Sequence, residues 1–78
     1  MFKVKYFGMI AEMADCPEEN FPCSEGALVN DLIALVTAKY PGMAKLSFKV
    51  ALNNQMANAH DRLGERDEIA LLPPFAGG

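Results

Sequence analysis

Residues 28–40, LVNDLIALVTAKY, carry the one long helical period in this chain, and that fact decides most of what it can become. Leu28, Leu32, Leu35 and Val36 recur at three- and four-residue spacing, and Val29, Ile33 and Tyr40 widen the apolar stripe. Asn30, Asp31, Thr37 and Lys39 fall towards solvent, with Asp31 near the start and Lys39 near the end, where each suits the helix dipole. Pro41 and Gly42 stop the helix, because the residue before a proline avoids helical angles. A helix with one apolar face must lie on something, and no second helix of comparable length is written in the sequence. Its support has to be a sheet.

Strand patterns supply that sheet. Phe2-Lys3-Val4-Lys5-Tyr6-Phe7 alternates, with Phe2, Val4 and Tyr6 on one face and Lys3, Lys5 and Phe7 on the other. Gly8 ends this strand, Met9 to Ala14 has a short helical period with Ile10, Met13 and Ala14 on one side, and residues 15–18 read as a turn. Glu19 to Cys23 is a weaker strand, placed at an edge because Pro22 cannot donate to a ladder. Beyond the helix, Phe48 to Leu52 alternates again, with Phe48, Val50 and Leu52 facing inwards. Asn53-Asn54 makes a tight turn, since asparagine tolerates positive φ, and Gln55 to Ala57 is the short returning strand. Residues 58–67 are polar and irregular, and Glu68 to Leu72 is the final strand.

This order predicts a two-layer α+β domain over residues 1–74, with the helix laid across one face of a mixed sheet. Closing it places the first and last strands side by side in the centre. In the ubiquitin-like β-grasp arrangement those two run parallel, and the C-terminal residues leave the last strand from a rigid support.

Composition removes several classes of function. Seventy-eight residues, 51% of them hydrophobic, suffice for one compact core and exclude a disordered chain. A net charge of -3, with seven scattered basic residues, argues against nucleic acid, which needs a clustered Lys/Arg face. The sequence shows no bilayer-length apolar run and no signal-peptide layout, so a cytoplasmic location without membrane attachment is expected. Cys16 and Cys23 are expected as reduced thiols, because a secreted domain of this size carries a denser disulfide framework.

The stretch after Leu72, PPFAGG, is built for something other than packing. Pro73 and Pro74 fix φ and withhold backbone donors, which ends the strand and points the last four residues away from the body. Ala76 keeps residues 75–78 slim, and Gly77 and Gly78 reach angles closed to other residues. Such a flexible tail can thread a narrow channel, and the carboxylate of Gly78 is its candidate working group.

With VKYFGMIAEMA, VALNNQ and above all DEIALLPPFAGG, the chain resembles the ubiquitin-like sulfur carriers of molybdenum cofactor and thiamine biosynthesis. The likeness runs over essentially the whole length, and the strand followed by Pro-Pro, any residue, a small residue and Gly-Gly resembles the molybdopterin synthase branch more than the thiamine branch. The resemblance implies a carrier that is no enzyme by itself. An adenylyltransferase related to ubiquitin-activating enzymes would use ATP to adenylate Gly78, and sulfur from a donor protein would replace AMP to give a thiocarboxylate. It further implies that two carriers flank a dimer of the synthase large subunit in a heterotetramer, inserting their tails into its active sites. There sulfur passes to cyclic pyranopterin monophosphate to form the dithiolene of molybdopterin, with no cofactor or metal bound by the carrier. Phe7, Leu72, Pro73, Pro74, Phe75 and Ala76 are then the expected docking residues, and Phe7, Leu72 and Phe75 an exposed apolar patch. The alternatives are a carrier for thiamine or cysteine synthesis, or a protein modifier conjugated through Gly78.

Three departures from the family pattern stand out. Ala11 replaces an arginine before Glu12, Leu28 occupies the helix-cap position where threonine or serine is common, and Arg66-Asp67-Glu68 replaces Gly-Asp-Glu, with the glycine displaced to Gly64. A missing cap of this kind costs about 1 kcal/mol unless Ser24 or a shifted helix start compensates. His60 lies alone in a polar loop and reads as solvated, and the five methionines read as core filler.

Overall fold

Alternation at both ends of the sequence builds the middle of the sheet. A computed structural model describes residues 1–22 and 26–73; Cys23, Ser24, Glu25 and residues 74–78, including the expected site residues Pro74, Phe75, Ala76, Gly77 and Gly78, lie outside the described residues. Strands β1 (Phe2–Tyr6), β2 (Glu18–Phe21), β3 (Lys49–Leu52), β4 (Gln55–Met56) and β5 (Glu68–Leu72) form one mixed sheet in the order β2-β1-β5-β3-β4. β1 and β5 run parallel, with Val4 beside Ile69 and Tyr6 beside Leu71. β5 is antiparallel to β3 on its other side, where Val50 pairs with Leu71 and Lys49 with Leu72. The edge placement expected for the second strand holds, although it stops at Phe21, before Pro22. This is the ubiquitin-like β-grasp.

The long helix, α2 (Val29–Lys39), lays Val29, Leu32 and Val36 into the core with Phe2, Val4, Tyr6, Ile69 and Leu71 of the central strands. Leu35 departs from the expected stripe and is 43% exposed, because it sits at the border of the apolar arc and lines an open groove with Pro22 and Ala27. A short helix α1 (Met9–Ala14) follows β1 and buries Ile10 and Ala14. Met13, expected beside them, is 42% exposed and lies instead over Gly42, where an added Cβ would stand 2.7 Å from its Cε. Pro41 to Lys45, read only as a helix stop, forms a 3₁₀ turn that sends Met43 into the core. The irregular segment 58–67 likewise contributes one buried side chain, Leu63.

Leu28 has no side-chain acceptor, and the first turn of α2 finds other partners. The Val29 and Asn30 amides donate to the Asp61 and Ala59 carbonyls, each at 2.9 Å, while those of Asp31 and Leu32 donate to the Leu28 carbonyl. Asp31 Oδ2 in turn accepts from the Leu28 amide at 2.9 Å. Backbone from the loop therefore does what a serine or threonine side chain does elsewhere.

The β2 edge is tied to the end of α2 through Glu19. Its Oε1 accepts from the hydroxyls of Tyr6 at 2.9 Å and Tyr40 at 2.8 Å, and its Oε2 pairs with Lys39. The two tyrosine rings meet edge to face at 6.3 Å. Burial opposes the charge on Glu19, but donation from Lys39, Tyr40 and Tyr6 outweighs it and holds the carboxyl below its ordinary range. The same contacts shift their donors: burial and then Glu19 raise both tyrosines, and the bond to Glu19 raises Lys39.

Candidate functional site

The site is the place where β5 hands the chain on to residue 73 and beyond, and three sets of contacts fix it. The first secures the start of β5. Asn53 and Asn54 take φ of 52° and 68° in the hairpin turn, which frees the Asn53 side chain to reach across. Asn53 Oδ1 accepts from the Glu68 amide at 2.9 Å, the Asn53 amide donates to the Glu68 carbonyl at 2.8 Å, and Asn53 Nδ2 donates to Asp67 Oδ1. Asp67 Oδ2 also accepts from the Gly64 amide at 2.6 Å. Those two bonds, from Asn53 and from the Gly64 backbone, hold the Asp67 carboxyl below its usual value. The displaced glycine is thus part of the turn that launches the strand.

The second set holds the body of β5. Ile69 and Leu71 are fully buried and belong to the core, while Ala70 and Leu72 point to the other face and are half-buried. Around them on that face, Lys3 pairs with Glu18 at 3.5 Å and Lys5 with Glu68 at 3.1 Å.

The third set aims the exit. The Phe7 amide donates to the Leu71 carbonyl at 3.3 Å, one residue past the last parallel register pair. Gly8 follows at φ 57°, ψ -134°, a conformation closed to most side-chain-bearing residues, and a Cβ there would stand 2.9 Å from Pro73 Cγ. Pro73 therefore rests on bare backbone at the start of α1. The sequence signal for this notch was a lone glycine between a strand and a helical run, which the pattern alone reads only as a terminator.

Among the expected site residues, Phe7 is 45% exposed at the exit, Leu72 closes β5, and Pro73 is half-buried. Leu72 is half-buried and does not protrude as the patch reading required; in the sheet it pairs with Lys49 of β3. Sequence reasoning read Gly8 only as the end of a strand and did not place it against Pro73. Among the described residues no group of His, Cys, Asp or Glu could hold a metal ion, and no helix is long and apolar enough to cross a membrane.

A β-grasp sheet with a proline-rich exit from its central parallel strand defines a ubiquitin-like carrier. The chain belongs to the ThiS family, whose profile matches residues 4–78. It is 34% identical over 80 residues to the molybdopterin synthase sulfur carrier subunit of Chlamydomonas reinhardtii, covering 97% of this chain and 96% of that one. It is 35% identical over 78 residues to the subunit of the same name from Mycobacterium tuberculosis, at 96% and 94% coverage. Among solved structures, a candidate molybdopterin converting factor subunit 1 from Pyrococcus furiosus superposes with a TM-score of 0.87 at 25% identity, covering 94% of this chain and 95% of that one. The complex of subunits 1 and 2 of molybdopterin-converting factor from Helicobacter pylori matches with a TM-score of 0.70 at 26% identity, covering 99% and 97%. Small archaeal modifier protein 1 from Methanosarcina acetivorans matches at 0.80 and 29% identity, covering 99% and 95%.

Proposed function

We propose that this chain is the sulfur-carrier small subunit of a molybdopterin synthase, with the Gly78 carboxylate as its reacting group. The observation that carries the proposal is the exit geometry: the central strand β5 ends in contact with Gly8 at Pro73, and the sequence beyond it is Pro-Phe-Ala-Gly-Gly. A carboxylate is a poor electrophile, so activation falls to a separate adenylyltransferase. The Gly78 oxygen attacks the α-phosphate of ATP, pyrophosphate leaves, and the acyl-adenylate forms. A donor protein then delivers sulfur at the sulfide level to the acyl carbon. The C–S bond forms, the bond from carbon to the phosphate oxygen breaks and AMP leaves, giving a thiocarboxylate in which sulfur has replaced one carboxylate oxygen. The large subunit receives this tail and uses its sulfur to build the dithiolene on cyclic pyranopterin monophosphate, in a heterotetramer carrying two small subunits. The work is cytoplasmic, and the carrier itself holds no cofactor.

Each part of the tail has a physical task in this scheme. Pro73 and Pro74 limit the conformations lost on docking. Phe75 offers an apolar anchor, Ala76 leaves the channel wide, and Gly77 lets the backbone bend next to the reacting group.

The test is intact-mass measurement after incubation with ATP, the adenylyltransferase and a sulfur donor. One oxygen-for-sulfur exchange is expected on the full chain, and none on a chain lacking Gly78. Transfer to the pterin precursor by the large subunit must follow. A carrier that gains sulfur but supports only thiazole synthesis, or becomes joined to lysines of other proteins, would replace this reading with one of its alternatives.

A further inference from the structure

The outward backbone of the edge strand β2 can be read from its ladder. The Tyr6 amide donates to the Pro17 carbonyl at 2.9 Å, one step beyond the Lys5–Glu18 pair. Bonded and non-bonded pairs alternate in an antiparallel ladder, so Val4–Glu19 and Phe2–Phe21 are the bonded pairs. Glu18 and Asn20 therefore turn their amides and carbonyls away from β1. Among the described residues no strand takes them up, and such an edge is a template for another strand.

Beside that edge lies an open groove of about 370 Å³, a size within the range of binding clefts. Phe2 and Leu32 are buried and form its floor, while Pro22, Ala27 and the exposed Leu35 stand around it. Asp31 is also part of the lining: its Oδ2 accepts from the Leu28 amide, and its Oδ1 has no partner among the described residues. On the outer side of the sheet Glu18 has one loose pair, with Lys3 at 3.5 Å, and its side chain is half exposed. Glu19, on the helix side, is already satisfied by Tyr6, Tyr40 and Lys39, which neutralises that lysine. The charge left available at this place is negative. Phe2 opens β1, whereas the tail leaves beside Phe7 past its end, so the groove and the exit lie at opposite ends of that strand.

We propose that the β2 edge and the groove between β2 and α2 bind an extended peptide segment in which apolar residues alternate with lysine or arginine. The backbone of such a segment bonds to Glu18 and Asn20 as an added strand. Alternate side chains of that strand point to the helix side, beside Phe21, and fill the groove against Leu35. The intervening ones emerge on the outer side beside Glu18, where a cation is favoured, and a basic residue at one end reaches Asp31. An acidic segment would meet like charge at both places. A second copy of this chain fits poorly. Two β2 strands joined antiparallel through Glu18 and Asn20 set Glu19 opposite Glu19, and like charges directly opposite destabilise a pair. An occupant here leaves the tail free, and the site stands whether or not the function proposed above holds.

The probe is a capped heptapeptide of alternating lysine and valine, titrated into the full chain while backbone amide shifts are followed by NMR. Counterparts with glutamate for lysine, or serine for valine, are the controls. Saturable shifts are expected at Glu18 to Phe21 and along Ala27 to Leu35, with much weaker binding of both controls. Asn20→Pro removes an outward donor without touching the bonds to β1, and Leu35→Asn removes an exposed apolar wall. Kd should rise about tenfold for Asn20→Pro and by less for Leu35→Asn, with thermal melting checked for each. If Asn20→Pro does not fold, the heptapeptide with alternate amides N-methylated, made in both phases, replaces it: one phase must lose binding. Shifts centred elsewhere, or equal binding by the glutamate peptide, overturn the proposal, as does unchanged binding by both variants. Self-association of the unaltered chain that Asn20→Pro abolishes also overturns it, since the edge would then serve a second copy.

Discussion

A methyl group added at Gly8 would stand 2.9 Å from Cγ of Pro73, so the turn after the first strand and the root of the tail are in direct contact. Two constraints coincide at Gly8. Its backbone, at φ 57° and ψ -134°, disfavours any side chain, and the space a side chain would need is already taken.

Gly8→Val should therefore do two things. It should destabilise the fold by about 1–3 kcal/mol through backbone strain. It should also displace Pro73 and lower sulfur delivery more than the lost stability explains. Urea unfolding gives the first quantity, and single-turnover transfer at a temperature where both forms are folded gives the second. Normal transfer by a strained but folded variant would show that the notch does not aim the tail.

Replacing Pro73 and Pro74 together by glycine leaves Gly77 and Gly78 untouched, and activation by the adenylyltransferase should continue. Each relaxed position adds about 0.4–1 kcal/mol to the ordering cost on docking. Half-saturation in transfer should rise by about tenfold, with the rate at saturation little changed. Equal half-saturation would reduce the prolines to strand terminators.

Glu19 sets an acid limit on stability. Its carboxyl lies below the ordinary range when folded, so the folded state binds fewer protons than the unfolded one in the window between the two values. The stabilisation is full above about pH 5, and it is lost as pH falls through the ordinary carboxylate range towards the folded value. Glu19→Gln should cost about 1 kcal/mol at neutral pH, and the gap between the two proteins should close on acidification. The raised tyrosines act with the opposite sign: their contribution is present below about pH 10 and is lost as pH rises beyond it. Urea midpoints across pH test both limbs, and a gap that stays constant down to pH 3 would remove Glu19 from the account.

Leu28→Ser restores a conventional cap residue, yet it should add little. The Asn30 amide that such a side chain would bond is already taken by the Ala59 carbonyl, and Leu28 packs half-buried beside the loop. The expected change is within about 0.5 kcal/mol, against the usual gain of about 1 kcal/mol for a cap. A full gain would mean that the loop carbonyls are poor substitutes.

Strand order and helix position were legible because period-two and period-3.6 patterns report burial directly. Phe2, Val4, Tyr6, Ile69 and Leu71 sit where alternation places them. What alternation cannot encode is the neighbour a side chain meets from a distant segment. Leu35 and Met13 carry the right spacing and stay exposed, because Leu35 faces an open groove and Gly42 offers Met13 a surface seat. The helix cap was misjudged for the same reason, since its acceptors are carbonyls of residues 59 and 61 and backbone groups leave no mark in composition. At the candidate site, the exposure of Phe7 and the end of β5 before Pro73 were legible from sequence, while the Gly8 notch and the Asn53 clamp depend on contacts between segments far apart in the chain.

The position of β5 between β1 and β3 also governs how the molecule fails. Without β5 the sheet separates into a β2–β1 pair and a β3–β4 pair, and two-stranded pieces of this size do not persist in water. Because β1 and β5 come from opposite ends of the sequence, this join is also among the slowest to form. A chain with β5 unseated has no folded body for a partner to grip, and a chain with β5 in place has Pro73 already seated against Gly8. On the function proposed above, a partner that recognises the folded body would by that alone exclude half-folded carriers.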